Sequence, residues 1–168
     1  CRFAPGGCER QDSVRNALAV LPPECDSVLV HDAARPFVTA RLTADVLAAL
    51  AEGHAAAIPG VPVVDTVKQV DQTGAVTATV DRDCLRAVQT PQGFSRVALC
   101  EAHTKARADG LTVTDDAALL EALGIPVVIT AGDPDNRKIT APADLELLRR
   151  RGTGETMTAT PRTGFGYD

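Results

Sequence analysis

Hydrophobic residues occur along the chain in two patterns, short continuous runs and recurrences every three or four positions, and each pattern predicts a type of element. The apolar run within 26–31 is typical of a short buried strand. The next apolar residues recur every three or four positions and predict a helix that begins at Thr39 or Thr43 and ends at Gly53. A second apolar run at 55–58 predicts another strand. Strand, helix and strand in this order form a βαβ unit, so we expect an α/β fold with a mostly parallel sheet and flanking helices.

The middle of the chain has the pattern of a β-hairpin. Two stretches rich in β-branched residues, 61–70 and 75–80, flank a turn sequence at 71–74. Both stretches carry polar residues throughout, which does not suit a strand inside a core. We therefore expect an arm of about residues 61–82 that projects from the domain and contacts a second subunit.

The pattern after the arm predicts the rest of the domain and its boundary. Three helices and a strand are expected: helices at 95–108, 115–124 and 140–151, and a strand at 125–130. Residues 152–162 have a linker composition without apolar periodicity. Glycine and aromatic residues return at 163–168. We therefore expect a domain at 1–151, a linker at 152–162 and the start of another domain at 163–168.

Composition limits the classes of function. Of the 168 residues, 45% are hydrophobic and 23% charged, which is typical of a soluble globular domain. The net charge of −5 argues against nucleic-acid or membrane-surface binding, and no apolar run approaches the roughly 18 residues of a membrane span. Five scattered cysteines without a C-x-x-C pair favour free thiols over disulfides or a zinc knuckle. We expect small-molecule ligands and a cytoplasmic location.

Polar residues follow two of the predicted strands, which is where ligands bind in open α/β sheets. Directly after the first strand, the carboxylate of Asp32 suits Mg²⁺ or a ribose hydroxyl, and Arg35 suits a phosphate. The alternative is a loop closed by an Asp–Arg pair, and we expect His31 to make only structural hydrogen bonds. After the last strand, residues 132–140 contain Lys138, a candidate phosphate ligand. The alternative there is an ordinary Asp-Pro turn.

Two further polar groups lie at the base of the arm and after it. Thr66 and Arg82, on opposite strands of the hairpin, are placed to converge on one anion, unless they are simply solvated. Residues 89–94 read as a turn whose two glutamines and Thr90 suit sugar hydroxyls, or as a tight turn packed by Phe94. No motif of a nucleophilic catalytic set occurs. The remaining candidates indicate phosphoryl or nucleotidyl transfer, a chemistry typically carried out by Asp, Arg, Lys and Thr side chains together with Mg²⁺.

The same segments resemble one enzyme family. In order and spacing, the chain is similar to the 2-C-methyl-D-erythritol 4-phosphate cytidylyltransferases in VHDAARPFV, PVVDTVKQV, TVDRDCLRAVQTPQGF, TDDAALLEALG and GDPDNRKIT. The upstream GGCERQDSV also resembles the family's G-G-x-x-R-x-x-S-V segment. The resemblance covers about residues 5–150. It implies a Rossmann-like domain with a hairpin dimerisation arm, whose N-terminal strands are absent from these residues.

The resemblance also implies a reaction and the residues that carry it. CMP passes from CTP to 2-C-methyl-D-erythritol 4-phosphate, giving 4-diphosphocytidyl-2-C-methyl-D-erythritol and pyrophosphate, with Mg²⁺ on the triphosphate. Arg82 and Lys138 match the catalytic pair that positions the acceptor phosphate. In the family the arm crosses a homodimer, so Thr66 and Arg82 are expected to serve the partner's site. The remaining matches are the pocket residues Asp32, Arg35, Thr66 and Thr90 and the nucleotide contacts Gly7, Ser13 and Ala33, with Asp32 also a candidate Mg²⁺ ligand.

The family's glycine-rich phosphate loop and its P-K-Q lysine are not among these residues. We expect them upstream of Cys1, and we expect the chain as it stands to be inactive without them. At the other end, RTGFGYD resembles the opening of 2-C-methyl-D-erythritol 2,4-cyclodiphosphate synthase. There Asp168 is expected to bind a divalent metal such as Zn²⁺. The tail therefore predicts a bifunctional fusion.

Two alternatives stay open at this point. A ribitol-5-phosphate cytidylyltransferase shares the D-T-x-K, Q-T-P-Q and N-x-K-I-T patterns, although the tail favours methylerythritol phosphate as the acceptor. A non-catalytic remnant that only dimerises through its arm is the alternative from another class.

Overall fold

The computed structural model describes residues 2–141 and residue 144, with a five-stranded sheet at the centre. The helices are α1 (Arg10–Ala19), α2 (Ala40–Ala51), α3 (Arg96–Asp109) and α4 (Asp116–Ala122), with a short 3-10 turn at Arg82–Cys84. The strands are β1 (Ser27–Val30), β2 (Ala56–Pro62), β3 (Val67–Val70), β4 (Val76–Val80), β5 (Arg86–Val88), β6 (Gln92–Ser95) and β7 (Val127–Ala131). None of the described helices is long and apolar enough to cross a membrane.

The central sheet is mixed. Strand β6 lies between β1 and β2 and is antiparallel to both, and β5 pairs with the far end of β2. On the other side of β2, β7 pairs with it in parallel. Strands β1, β2 and β7 therefore run in one direction and β5 and β6 in the other, and the predicted α/β fold with flanking helices is confirmed. The antiparallel strand between β1 and β2 was not predicted.

Helices cover both faces of this sheet. On one face, α1, α3 and α4 pack over Ala56, Ile58 and Phe94 through residues such as Leu99 and Leu120. On the other, α2 places Val46 and Ala49 against Ala57 and its neighbours. Alternate residues of β2 point to opposite faces, which is why Ala56 and Ala57 belong to different clusters. Both cores are made largely of small and aliphatic side chains, so helices and sheet approach closely.

The interpretation of residues 89–94 as a turn was wrong for its second half. Gln92–Ser95 forms β6, and Phe94 is fully buried. Gly93 is required here because a Cβ atom would lie 2.4 Å from Val46 Cγ1 of α2. Glycine and glutamine are uncommon in strand interiors, so the local sequence did not predict a strand here. Packing against α2 stabilises it.

The hairpin prediction is confirmed, with a change in its bounds. Strands β3 and β4 form a separate antiparallel sheet in which Val67 pairs with Val80. The first predicted stretch, 61–70, is divided, because residues 61–62 still belong to β2 in the central sheet. In the turn, Asp71 Oδ1 accepts from the backbone N–H of Thr73 at 2.8 Å.

The helix ends follow the predicted signals. Thr39 caps α2 by accepting from Leu42 N–H at 3.2 Å, and Asp115 caps α4 by accepting from Ala118 N–H at 3.1 Å. The left-handed Gly110 ends α3. Helix α1 was not predicted, since it buries only Leu18 fully and has a weak apolar pattern. Most of the predicted helix at 140–151, the linker at 152–162 and the tail with Asp168 lie outside the described residues.

Candidate functional site

The loop after β1 is held by a network of hydrogen bonds. Thr90 Oγ1 accepts from the Asp32 backbone N–H at 3.0 Å and lies 3.0 Å from His31 Nδ1. His31 Nε2 lies 3.0 Å from the Arg35 carbonyl oxygen. A neutral imidazole with its proton on Nε2 satisfies both contacts. His31 is thus structural, as predicted, and the buried hydroxyl of Thr90 supports the loop that presents Asp32.

Three cations converge on the Asp32 carboxylate. Lys138 Nζ lies 3.3 Å from Asp32 Oδ2, and Arg35 Nε lies 3.8 Å from the same oxygen. Arg10 Nε lies 3.9 Å from Oδ1. Arg10 also pairs with a second carboxylate, Asp116, at 2.7 Å. Three cations against two carboxylates still leave a local excess of positive charge, which favours an anionic ligand. The fold therefore brings Lys138 to Asp32 and Arg35, which lie more than 100 positions earlier in the sequence.

Arg35 faces the protein more than the solvent. Its side chain is 13% exposed, and its guanidinium donates to the carbonyls of Asn136 at 2.8 Å and Val88 at 3.3 Å. Burial lowers the pKa of the guanidinium from its ordinary value and Asp32 opposes this, but an arginine remains charged at neutral pH. Arg35 thus ties the loop after β1 to the loop that carries Lys138.

Buried amide side chains fix the Lys138 loop. Asn136 is fully buried and donates from Nδ2 to the Thr90 carbonyl at 2.8 Å. The Gln89 side chain donates to the Asp133 carbonyl at 2.8 Å and accepts from the Asp133 N–H at 3.0 Å. Gln89 is therefore committed to the backbone, and its predicted role in sugar recognition was wrong. The two interpretations of residues 132–140 are compatible. The segment forms a turn, and that turn places Lys138 beside Asp32.

The second glutamine of that segment is buried, and its Nε2 has a partner while its Oε1 has none among the described residues. Gln92 is 2% exposed and donates from Nε2 to Asp115 Oδ2 at 2.8 Å, at the start of α4. Its amide therefore anchors a helix end and is not presented to a ligand, so the sugar-recognition interpretation fails here as well.

The predicted nucleotide contacts lie at the start of α1 and after Asp32. Gly7 donates its N–H to Ser13 Oγ at 3.0 Å. A Cβ atom on Gly7 would lie 2.1 Å from Asp12 Cβ, so the chain can pass the helix this closely only as glycine. Gly7 and Ala33 are exposed and Ser13 is half-buried, so all three have some access to solvent.

The arm residues Thr66 and Arg82 form no hydrogen bond or ion pair with Asp32, Arg35 or Lys138 in the described part of the chain. Thr66 precedes β3 and Arg82 begins the 3-10 turn after β4, so both flank the strands on which they were placed by sequence. Arg82 donates to the Val64 carbonyl. In the described part of the chain Arg82 makes no ion pair, and its exposed charge is free for an anion.

The residues around Asp32 do not fit a divalent metal held by the protein. Among residues 2–141 and 144, no three His, Cys, Asp or Glu side chains cluster as metal ligands. The neighbours of Asp32 are cations, which repel a metal ion and attract phosphate oxygens. The surroundings of Asp32 therefore do not support its predicted role as a Mg²⁺ ligand.

Comparison with known proteins identifies the family. The sequence model of 2-C-methyl-D-erythritol 4-phosphate cytidylyltransferase matches residues 2–149. The chain belongs to this family. A "Bifunctional enzyme IspD/IspF" of Nitratidesulfovibrio vulgaris is 55% identical over 163 residues, 97% of this chain and 40% of that protein. The cytidylyltransferase of Frankia casuarinae is 52% identical over 142 residues, 84% of this chain and 52% of that protein.

Solved structures agree with this assignment. The crystal structure of the cytidylyltransferase from Thermus thermophilus is 44% identical and has a TM-score of 0.80, covering 90% of this chain and 73% of that one. The bifunctional enzyme of Campylobacter jejuni is 26% identical with a TM-score of 0.72, covering 86% of this chain and 36% of that one. This chain therefore spans well under half the length of the bifunctional relatives.

One residue beside Asp32 was assigned no role from the sequence. Arg10 lies in the GGCERQDSV segment, which was quoted only for its resemblance. In the fold, Arg10 on α1 reaches both Asp32 and the buried Asp116 of α4. Asp32 and Asp116 lie 22 and 106 positions after Arg10, so no local sequence pattern could predict these two contacts. The only available signal was an arginine close to Gly7.

Proposed function

We propose that this domain, in the full-length protein, transfers CMP from CTP to 2-C-methyl-D-erythritol 4-phosphate and releases pyrophosphate. The observation that carries the proposal is the placement of Lys138 beside Asp32, with an excess of positive charge, in a member of this family. The Lys138 side chain is 44% exposed. An ammonium group has three donors, so Lys138 can contact Asp32 and still bind an acceptor phosphate.

The proposed chemistry is an in-line displacement. An oxygen of the acceptor phosphate attacks the α-phosphorus of CTP, a new phosphorus–oxygen bond forms, and the bond to the β-phosphate oxygen breaks as pyrophosphate leaves. Both reactants are anions, so Lys138 and Arg82 lower their repulsion and fix the attacking oxygen. Mg²⁺ is proposed to arrive with the triphosphate, where it neutralises charge on the leaving group.

A second copy of the chain is the proposed partner, through the arm. Val64, Val70 and Val76 in the arm are 81%, 53% and 62% exposed. A two-stranded hairpin is marginally stable by itself, so covering these valines stabilises it. In the proposed homodimer, Thr66 and Arg82 complete the site of the other subunit.

We further propose that the full-length protein also carries a cyclodiphosphate synthase domain, in which Asp168 binds a divalent metal such as Zn²⁺. Relatives named as bifunctional enzymes support this arrangement. For location we propose the cytoplasm, because Cys8, Cys25, Cys84 and Cys100 are free thiols, which persist in a reducing compartment.

The test is a side-by-side assay on the purified full-length protein. Pyrophosphate release is measured with CTP and either 2-C-methyl-D-erythritol 4-phosphate or ribitol 5-phosphate. We expect the higher kcat/KM with the methylerythritol substrate. A higher value with ribitol 5-phosphate supports the alternative acceptor, and release with neither supports a non-catalytic role. Either result overturns the proposal.

A further inference from the structure

A buried carboxylate lies behind the candidate site. Asp116 is the first residue of α4, and its side chain is 1% exposed. Its Oδ1 lies 3.1 Å from Nε2 of His103 on α3, which is 2% exposed, and its Oδ2 accepts from Arg10 Nη1 at 2.7 Å. A buried carboxylate is costly unless both oxygens have partners, and here both do.

The same partners keep Asp116 ionised. Burial by itself raises the pKa of this carboxyl group. The hydrogen bond to His103 and the charge and hydrogen bond of Arg10 outweigh burial, so the pKa lies below its ordinary value. Asp116 is therefore an anion at neutral pH, and it attracts the Arg10 guanidinium strongly in a region from which water is largely excluded.

Arg10 connects this buried anion to the site. The guanidinium of Arg10 contacts two carboxylates. Its Nη1 donates to Asp116, and its Nε lies 3.9 Å from Asp32 Oδ1. The other oxygen of Asp32, Oδ2, lies 3.3 Å from Lys138 Nζ. The contacts form a continuous series from the buried His103 to the exposed lysine.

We propose that Asp116, backed by His103, is a positioning residue for the CMP-transfer site. Asp116 holds the Arg10 guanidinium so that Nε faces Asp32 Oδ1, which leaves Asp32 Oδ2 directed at Lys138. The Arg10 side chain is 33% exposed and long, so without the buried anion it is free to leave Asp32. The inference rests on the proposed function, because the position of Lys138 matters only if it binds a reactant.

The kinetic test uses Asp116→Asn, Arg10→Gln and the double variant in the full-length protein. Both single variants end the placement of the Arg10 guanidinium beside Asp32, so each is expected to lower kcat/KM for the acceptor about tenfold, the size of one lost charge-assisted hydrogen bond. The double variant is expected to match Arg10→Gln alone, because its second change removes nothing further. Arg10→Gln alters a partly exposed side chain, so it tests the contact even if Asp116→Asn folds poorly.

Asp109→Asn is the matched control. It removes another aspartate that pairs with a cation, Lys105, on the exposed side of α3, where Asp109 Oδ2 lies 2.5 Å from the lysine. We expect it to leave kcat/KM unchanged. A purely structural role for Asp116 predicts a lower melting temperature with kcat/KM within about twofold of wild type, or effects that multiply in the double variant. Either result overturns the proposal.

A crystal structure of Asp116→Asn gives a readout that does not need activity. We expect the Arg10 guanidinium to leave its place between the two carboxylates, and an unchanged position overturns the inference. If the wild-type protein transfers no CMP, the proposed function fails, while this comparison still shows whether Asp116 places Arg10.

Discussion

Asp32 illustrates how a single residue acquires its chemistry from the fold. Its carboxylate suggested a metal ligand, but the three cations around it make an anion the better ligand. Asp32, Arg35 and Lys138 were predictable because polar residues at strand ends tend to meet. Arg10 and Asp116 were not, because their pairing depends on how α1 and α4 pack, which no short pattern encodes.

Lys138 gives the first prediction at this scale. In the full-length protein, Lys138→Ala is expected to lower kcat for pyrophosphate release about a hundredfold or more, because a preorganised cation is lost from the transition state. Its melting temperature should stay close to that of wild type, since the side chain is 44% exposed. The control is Lys105→Ala, which removes an exposed lysine from α3. Equal activity of the two variants contradicts the role of Lys138.

Asp116 gives a prediction of pH dependence. Burial raises its pKa, but His103 and Arg10 outweigh burial, so its folded pKa lies below the ordinary 3.8. Such a group stabilises the fold above the unfolded pKa and loses this contribution as pH falls through the folded pKa. Asp116→Asn is therefore expected to lower the free energy of unfolding at neutral pH, by about 1–3 kcal/mol. The difference from wild type should shrink below about pH 4.

Urea unfolding of both proteins across a pH series measures this difference. His103 and Arg10 face Asp116 from α3 and α1, and they remain in both proteins. A difference that is the same at neutral pH and in acid contradicts the assignment of the stabilisation to the ionised carboxylate.

At the scale of elements, helices were more predictable than strands. Helices α2, α3 and α4 carry their own signals, such as Thr39, Asp115 and Gly110, within a few residues of their ends. Strand β6 has no such signal. Gln92 is held by a hydrogen bond to Asp115, and Gly93 packs against α2, so both contacts are made to residues that lie elsewhere in the sequence. Local chemistry fixes helix ends, whereas the partners of a strand are distant.

Gly93 tests this account of β6. In Gly93→Ala, the new methyl group would lie 2.4 Å from Val46 Cγ1 and 3.1 Å from Leu50 Cδ1. Overpacking of this kind is expected to lower the free energy of unfolding by about 1–3 kcal/mol. Gly6→Ala is the control, because its Cβ would meet only Ser13 Oγ at an ordinary 3.6 Å. Urea unfolding that shows the same stability for both variants contradicts the close packing of α2 on β6.

At the scale of the whole molecule, the residues of the proposed site lie in two parts of the fold. Lys138 and Asp32 lie together at the central sheet, whereas Arg82 lies at the base of the arm with no ion pair in the described part of the chain. Sequence alone predicted the arm, but it gave no distance between the arm and the Asp32 cluster. The proposed homodimer brings both groups of residues into one site, because the arm of one copy reaches the Asp32 cluster of the other.

Co-expression of two inactive variants measures this arrangement most directly. Full-length Arg82→Ala and Lys138→Ala are each expected to be nearly inactive in CMP transfer by themselves. In a mixed dimer, one site receives an intact Arg82 from one copy and an intact Lys138 from the other. Random pairing therefore restores up to about a quarter of wild-type activity, because half of the dimers are mixed and each has one intact site. Activity that stays at the level of the separate variants contradicts a site shared between the arm and the partner's Lys138 loop.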